Sequence, residues 1–411
     1  MKKHFCIGLA FILLGISALA CGLPGGQDQP PASEEAPASV DQVSTIVAST
    51  LQALTPDSPN PPTNVTPQTP TGLLPHSLHF INNDNASIPQ VFRLEVDGKT
   101  LKQITFEPVQ VESYDVSRVD GSVAYVSNNQ LLLINADGSG RRVLVDGGPV
   151  DPNNPFINSI RLPVFSPNGQ TIAYGYKGLN FYAVASGVSN RVLDDNIENL
   201  NNLLVVREAY SPGKYSADGT KLLVTLQYYE GGSSAIYYPA ANSLVRLSND
   251  EGALICCGEP EWTQDGSALF TGNPTIGMFN PGLWRVDATS GKVTTLLGGE
   301  SNFVDEPYLA PDNQLYFFYS NQLGTPETSN RSPLQLVRSA ADGVTNRTVL
   351  ILDSFLLLNE ALWAPDASLV IVATAPIAEV YQGGLIELYY TDGKTPMISL
   401  LPYGQQFRWG P

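Results

Sequence analysis

Hydrophobic residues along this chain come in short runs that alternate with polar positions, each run closed by a turn, and one such phrase recurs. It reads VFSPNGQTIAYG from Val164, KYSADGTKLLVT from Lys214, EWTQDGSALFTG from Glu261, YLAPDNQLYFFY from Tyr308 and LWAPDASLVIVA from Leu362, with a degraded copy, SRVDGSVAYV, from Ser117. The turn residue stands at Asp120, Asn168, Asp218, Asp265, Asp312 and Asp366, so the steps are 48, 50, 47, 47 and 54 residues. Period-two apolar runs on both sides of a turn predict strands. Asp or Asn in the turn supports the chain two residues on, and Gly accepts positive φ. After each second strand the pattern continues through a variable loop, a third strand, a second turn and a closing strand. In one unit these are Val123 to Val126, Leu131 to Ile134, Asp137-Gly138 and Arg142 to Val145; equivalent second turns fall at Asp97-Gly98, Ser290-Gly291, Asp342-Gly343 and Asp392-Gly393. Four strands repeated at this period predict a β-propeller.

The first unit, residues 78–105, has three strands and lacks the aromatic-led one. At the other end Phe407-Arg408-Trp409-Gly410-Pro411 matches Leu362-Trp363-Ala364-Pro365 and the sequence stops. The two ends are complementary: the last residues supply the missing inner strand of the first blade and abolish the open edges. The expectation is an all-β, seven-bladed propeller over residues 76–411.

The N-terminal 75 residues read differently. Lys2 and Lys3 precede an apolar run over residues 5–20 that is short for a membrane span and is followed by Gly, Pro and polar residues. That is the pattern of a signal peptide, residues 1–20. Its end, Ala18-Leu19-Ala20-Cys21, resembles a bacterial lipobox with its leucine displaced by one position, which makes Cys21 the expected lipidation site; ordinary cleavage near Ala20 is the alternative. Residues 21–75 carry eleven prolines and no lysine or arginine. Such a segment cannot bury enough apolar surface to fold and reads as a disordered tether. Within it Val40, Val43, Ile46, Val47, Leu51 and Leu54 share one helical face, so a short helix is expected at 40–54.

A formal net charge of -17 and a pI near 4.5 argue against nucleic acid or anionic lipid as partner, because phosphate binding needs clustered cations. Of the four cysteines, Cys6 leaves with the signal and Cys21 carries the lipid, which leaves Cys256 and Cys257. Neighbouring α-carbons lie about 3.8 Å apart, below the usual disulfide range, so a bond between them would be strained and easily reduced. The pair is either a redox switch or two small buried residues at a strand start.

The phrase W/F-S-P-D-G followed by an I-A-Y/F strand resembles the TolB-type, WD-like repeats of bacterial envelope propellers and of the propeller portions of some peptidases. The resemblance runs from about Leu73 to Pro411 and is strongest around Phe165, Trp262 and Trp363. It implies a platform for protein or peptide contacts at the cell envelope, with no particular ligand.

In a ring of such units the tight turns share one face. The other face collects the irregular sequence: residues 150–159, 194–212, 228–234, 273–282, 320–333 and 376–384. Variable loops on a rigid scaffold are where binding usually resides. Glu259, Glu306 and Glu360, with Asp305 beside them, stand three positions before the aromatic-aligned residue of three adjacent inner strands, which places them at the channel rim on that face. They could hold a hard cation such as calcium or a basic peptide end, or cap backbone amides at strand entries. Trp262, Trp363 and Trp409 read as packing residues between blades. Catalysis finds little support: after the signal only His76 and His79 remain, no hydrolase, zinc-protease or phosphate-loop motif occurs, and no length is left for the hydrolase domain that propeller peptidases carry. The expected function is an envelope-anchored, monomeric binding or scaffolding propeller that needs no cofactor. A lyase or glycosidase built on carboxylates and Tyr is the alternative.

Overall fold

The computed structural model describes residues 72–201, 203–248, 260–276 and 280–411, which belong to the compact unit Thr69–Pro411. Its architecture starts from one hydrogen bond made six times. The turn carboxylate or amide oxygen accepts the backbone N–H two residues on, from Ser122 to Asp120, Gln170 to Asn168, Thr220 to Asp218, Ser267 to Asp265, Gln314 to Asp312 and Ser368 to Asp366, all between 2.9 and 3.1 Å. The following residue takes φ between +56° and +74° in every copy, even where Asn313 and Ala367 replace glycine. Hence the phrase specifies a hairpin locally, before any tertiary contact.

The described strands form six antiparallel sheets; the seven-stranded one, whose strand Ile398–Trp409 serves both of its halves, is numbered here as blades 7 and 1, and the other five, one of which carries a fifth strand, as blades 2–6. Blade 2 shows the pattern: Val111–Val116 innermost, then Val123–Ser127, Gln130–Ile134 and Arg142–Asp146. The apolar faces bury against each other in seven clusters, one at each junction. Phe318, Leu336, Trp363 and Val370 fill the junction of blades 6 and 7, and Phe80, Ile371, Leu388 and Phe407 that of blades 7 and 1. Since every junction is filled, the ring has no open sheet face.

Closure is made by one strand, Ile398–Trp409. Its first part pairs with Gly384–Tyr390 as the outer strand of blade 7 (Leu388 opposite Ile398, Ile386 opposite Leu401). Its last part pairs with Leu78–Asn83 as the inner strand of blade 1 (Leu78 opposite Trp409, Ile81 opposite Gln405). The expected complementarity of the two chain ends is therefore a shared strand.

Two stretches that read as loops are paired. Within residues 194–212 a hairpin forms from Asn196–Leu200 and the start of the long strand Leu203–Tyr215. The alternating apolar residues at Ile197, Leu204 and Val206 support it, and Asn201 turns the chain at φ +54°. Residues 228–234 are a tight hairpin in which Tyr228 faces Gly231. Asn, Glu and Gly obscure both strands in the sequence. The signal peptide, Cys21, the 40–54 helix, Cys256, Cys257 and Glu259 lie outside the described residues.

Candidate functional site

Around the channel, the inner strands of blades 3, 6 and 1 break register just before their aromatic-aligned positions. Leu162, Glu306 and Gln406 take positive φ there, at 45°, 47° and 57°. A bulge leaves amides without a ladder partner, and a buried amide needs an acceptor. Carboxylates from the preceding chain supply it. Asp115 accepts the Phe165 N–H at 2.7 Å and Glu360 those of Gln406, at 2.7 Å, and Phe407; Asp195 accepts that of Tyr210 at 2.8 Å, ahead of the register break in its strand. The indoles add a second tier: Trp262 donates to the Lys214 carbonyl, Trp363 to that of Glu306 and Trp409 to that of Trp363, at 2.8–2.9 Å.

The expected rim acids divide against this background. Glu360 is half-buried and holds two amides of the closing strand. Asp305 and Glu306 are buried, and Asp305 accepts the Glu306 N–H at 3.1 Å. Burial pushes the Asp305 carboxyl up to about 7, against the pull of that amide and of Arg331. Among the described residues no three His, Cys, Asp or Glu side chains converge as a metal site. His76 lies 6.4 Å from the Trp409 ring. His79 is wholly buried beside the closing strand, with neither ring nitrogen hydrogen-bonded. Burial, then the Arg93 charge, lowers its pKa to about 3, with Glu95 opposing.

Unused binding capacity lies elsewhere, at the loop-rich end of blade 6, whose strands are Phe303–Leu309, Gln314–Ser320, Gln335–Ala340 and Thr348–Val349. A cavity of about 390 Å³ is lined there by Ser320, Asn321, Gln322, Gln335 and Arg347, with Tyr319 behind; no acidic side chain lines it. The Arg347 guanidinium lies 3.9 Å from the Tyr319 ring centroid, and its Nη1 is buried without a hydrogen-bond partner. The Tyr319 hydroxyl is held at 3.0 Å by Asn302, on the connection from blade 5. A second guanidinium, Arg331, lies 4.9 Å from the Tyr381 ring centroid, donates to Asn359 and has its own Nη1 unpartnered. Sequence reasoning placed loops 320–333 and 376–384 on the binding face but singled out neither arginine. The signal was faint: Arg347 and Tyr319 are far apart in sequence and meet only through blade pairing.

No helix among the described residues is long and apolar enough to cross a membrane. No protein-family model matches the chain, and no curated protein matches it. Solved structures do. An oligogalacturonate lyase in complex with manganese is 11% identical, with a TM-score of 0.51 over 79% of this chain and 84% of that one. A prolyl endopeptidase structure is likewise 11% identical at a TM-score of 0.51, over 81% of this chain, which spans 49% of that chain's length. TolB from Acinetobacter baumannii is 16% identical at a TM-score of 0.42, over 82% of this chain and 65% of that one. The fold is thus that of a β-propeller, similar in its ring to proteins of different activities.

Proposed function

We propose that this chain is a binding propeller of the cell envelope that holds a protein or peptide partner on its loop-rich face. The observation that carries the reading is a contrast between faces. The turn face repeats the same short, internally satisfied Asx turns. The loop face of blades 6 and 7 gathers a cavity, two guanidiniums with unpaired donors and exposed Leu323, Leu352, Ile377 and Tyr381. Exposed apolar side chains beside unsatisfied polar groups are what a partner covers. In this reading Asp305, Glu306 and Glu360 serve the channel wall, and the leader with Cys21 places the ring at a membrane. Affinity capture from envelope extract with the purified chain tests it. One protein retained by the parent, and lost when Leu323 and Leu352 are changed to Ser, supports the reading; equal retention by both removes the loop face as the site.

One observation favours a second reading. The oligogalacturonate lyase similar over 79% of this chain is a ring that carries carbohydrate chemistry, and burial raises the Asp305 carboxyl toward the range of a general acid. Incubation with oligogalacturonate, with and without manganese, tests it. Product release abolished by Asp305→Asn supports an enzyme, and no release under either condition excludes this substrate.

A further inference from the structure

Arg347 and Arg331 differ from the ion-paired arginines of this acidic chain in being stacked on tyrosines with a buried Nη1 left unpartnered, and of the two Arg347 lines the cavity. Arg93 pairs with Glu95, Arg141 with Glu107 and Arg246 with Glu208, each at 2.6–2.7 Å, whereas among the described residues Arg347 makes no ion pair. Stacking on Tyr319 satisfies the face of the guanidinium and fixes its plane. It does nothing for the in-plane N–H groups, and a buried donor without an acceptor costs about 1–3 kcal/mol. The cavity in front of it offers neutral amides and hydroxyls and no competing carboxylate. In a chain with a formal net charge of -17, such a pocket is a local exception.

The chemistry of the ligand follows from what is present. A guanidinium edge with coplanar donors matches a carboxylate in fork geometry. A phosphate would bring up to two charges and is usually met by several cations or a nest of backbone amides; here one guanidinium faces neutral amides. The lining residues are flanked in the chain by aliphatic side chains in solvent: Leu323 follows Gln322 and is 59% exposed, Leu352 lies two before Ser354 and is 88% exposed, and Val349 in the lining is 46% exposed. A hydroxyl-rich acid would set its hydroxyls against these aliphatics, whereas a carboxylate on an apolar residue covers them.

We propose that the blade 6 cavity anchors the C-terminal residue of a peptide, its carboxylate on Arg347 and its apolar side chain against the Leu323, Val349 and Leu352 rim. This deepens the binding-propeller reading and rests on it. The test titrates the full chain, by ligand-observed NMR, with N-acetyl-leucine, with N-acetyl-leucinamide and with glucuronate. N-acetyl-leucine is expected to bind saturably and the neutral amide about ten-fold more weakly, because the charge-assisted pair is lost. Arg347→Gln should weaken N-acetyl-leucine by about ten-fold, and Leu352→Ser, at an exposed position, by about three-fold. Absence of saturable binding, or equal binding by the Arg347→Gln chain, overturns the proposal; so does tighter binding of glucuronate, which would reassign the pocket to an acidic sugar. If Arg347→Gln lowers the melting temperature, the Leu352→Ser chain and the leucine–leucinamide pair still decide. The two readings fail separately. A chain that binds N-acetyl-leucine through Arg347 but retains no envelope protein leaves the pocket chemistry standing without the wider function; an Arg347→Gln chain that retains its partner undiminished does the reverse.

Discussion

The closing junction of blades 7, 1 and 2 and the loop-rich corner of blade 6 use the same residue types to opposite ends. At the closure, Glu360 holds the Gln406 and Phe407 amides, Tyr114 donates to the Gln406 carbonyl at 2.5 Å, and the Trp409 indole donates to Trp363. Asp115 reaches both Arg408 of the closing strand and the Phe165 amide of blade 3. At the blade 6 corner Arg347 and Arg331 are stacked on tyrosines, and each keeps an Nη1 without an acceptor. Polar groups with partners across a junction fix the ring; Arg347, unpartnered in a cavity wall, is left for something outside it, whereas the unpartnered His79 at the closure is wholly enclosed.

The sharpest break in that comparison is removal of the shared strand. Deleting residues 405–411 takes Phe407 and Trp409 out of the blade 7–1 core and opens an edge on blade 1. Loss of two large buried aromatics predicts more than about 5 kcal/mol and loss of a single cooperative transition, to be read by denaturant titration. An unchanged midpoint would show that the ring does not depend on its closure.

Next comes the carboxylate itself. Glu360→Ala strips the acceptor from two amides of the closing strand and should cost about 3 kcal/mol, since hydrogen bonds to charged groups contribute about 1.5–3 each. The same titration measures it. A cost near zero would mean that water replaces the carboxylate and that Glu360 is free for a ligand role at the rim.

His79 sharpens the comparison through pH. Its folded pKa, about 3, lies below the ordinary 6.5, so the unfolded chain takes up the proton first. Its contribution to stability is complete above pH 6.5 and falls away as pH drops toward 3. At pH 5 the loss from this group is about 2 kcal/mol. Replacing His79 by Leu should remove that part of the difference between pH 7 and pH 5, and an acid limb unchanged by the substitution would refute the assignment. The smallest effect is expected at the other pole: Arg347→Gln loses the stacking on Tyr319 but relieves an unpartnered buried donor, contributions of about 1 kcal/mol and opposite sign, so stability should change little while N-acetyl-leucine binding weakens about ten-fold.

Legibility in the sequence followed the range of the interactions. The Asx turn is complete within five residues, so Asp218-Gly219 or Asp265-Gly266 announces its hairpin unaided. The closure was legible because Trp409 repeats the context of Trp363. Register reasoning grouped Glu259, Asp305, Glu306 and Glu360 as rim acids, but the engagement of Glu360 was not visible: it bonds amides 46 and 47 positions away, across a junction the sequence does not encode locally. Arg347 offered less, since nothing around it marks Tyr319 as its platform. The hairpin at 196–206 was hidden because its polar residues mimic a loop, while its pairing comes from alternation and one asparagine turn.

The shared strand also sets a timetable. Leu78 waits for Trp409, about 330 positions later; that delay lasts until nearly the whole propeller has emerged on the side where it folds. During it the first blade carries an unpaired inner edge, the kind of surface that seeks strands from other chains. Assembly of this ring therefore cannot finish before the strand Ile398–Trp409 arrives, and a chaperone or a neighbouring chain has that interval in which to occupy the gap.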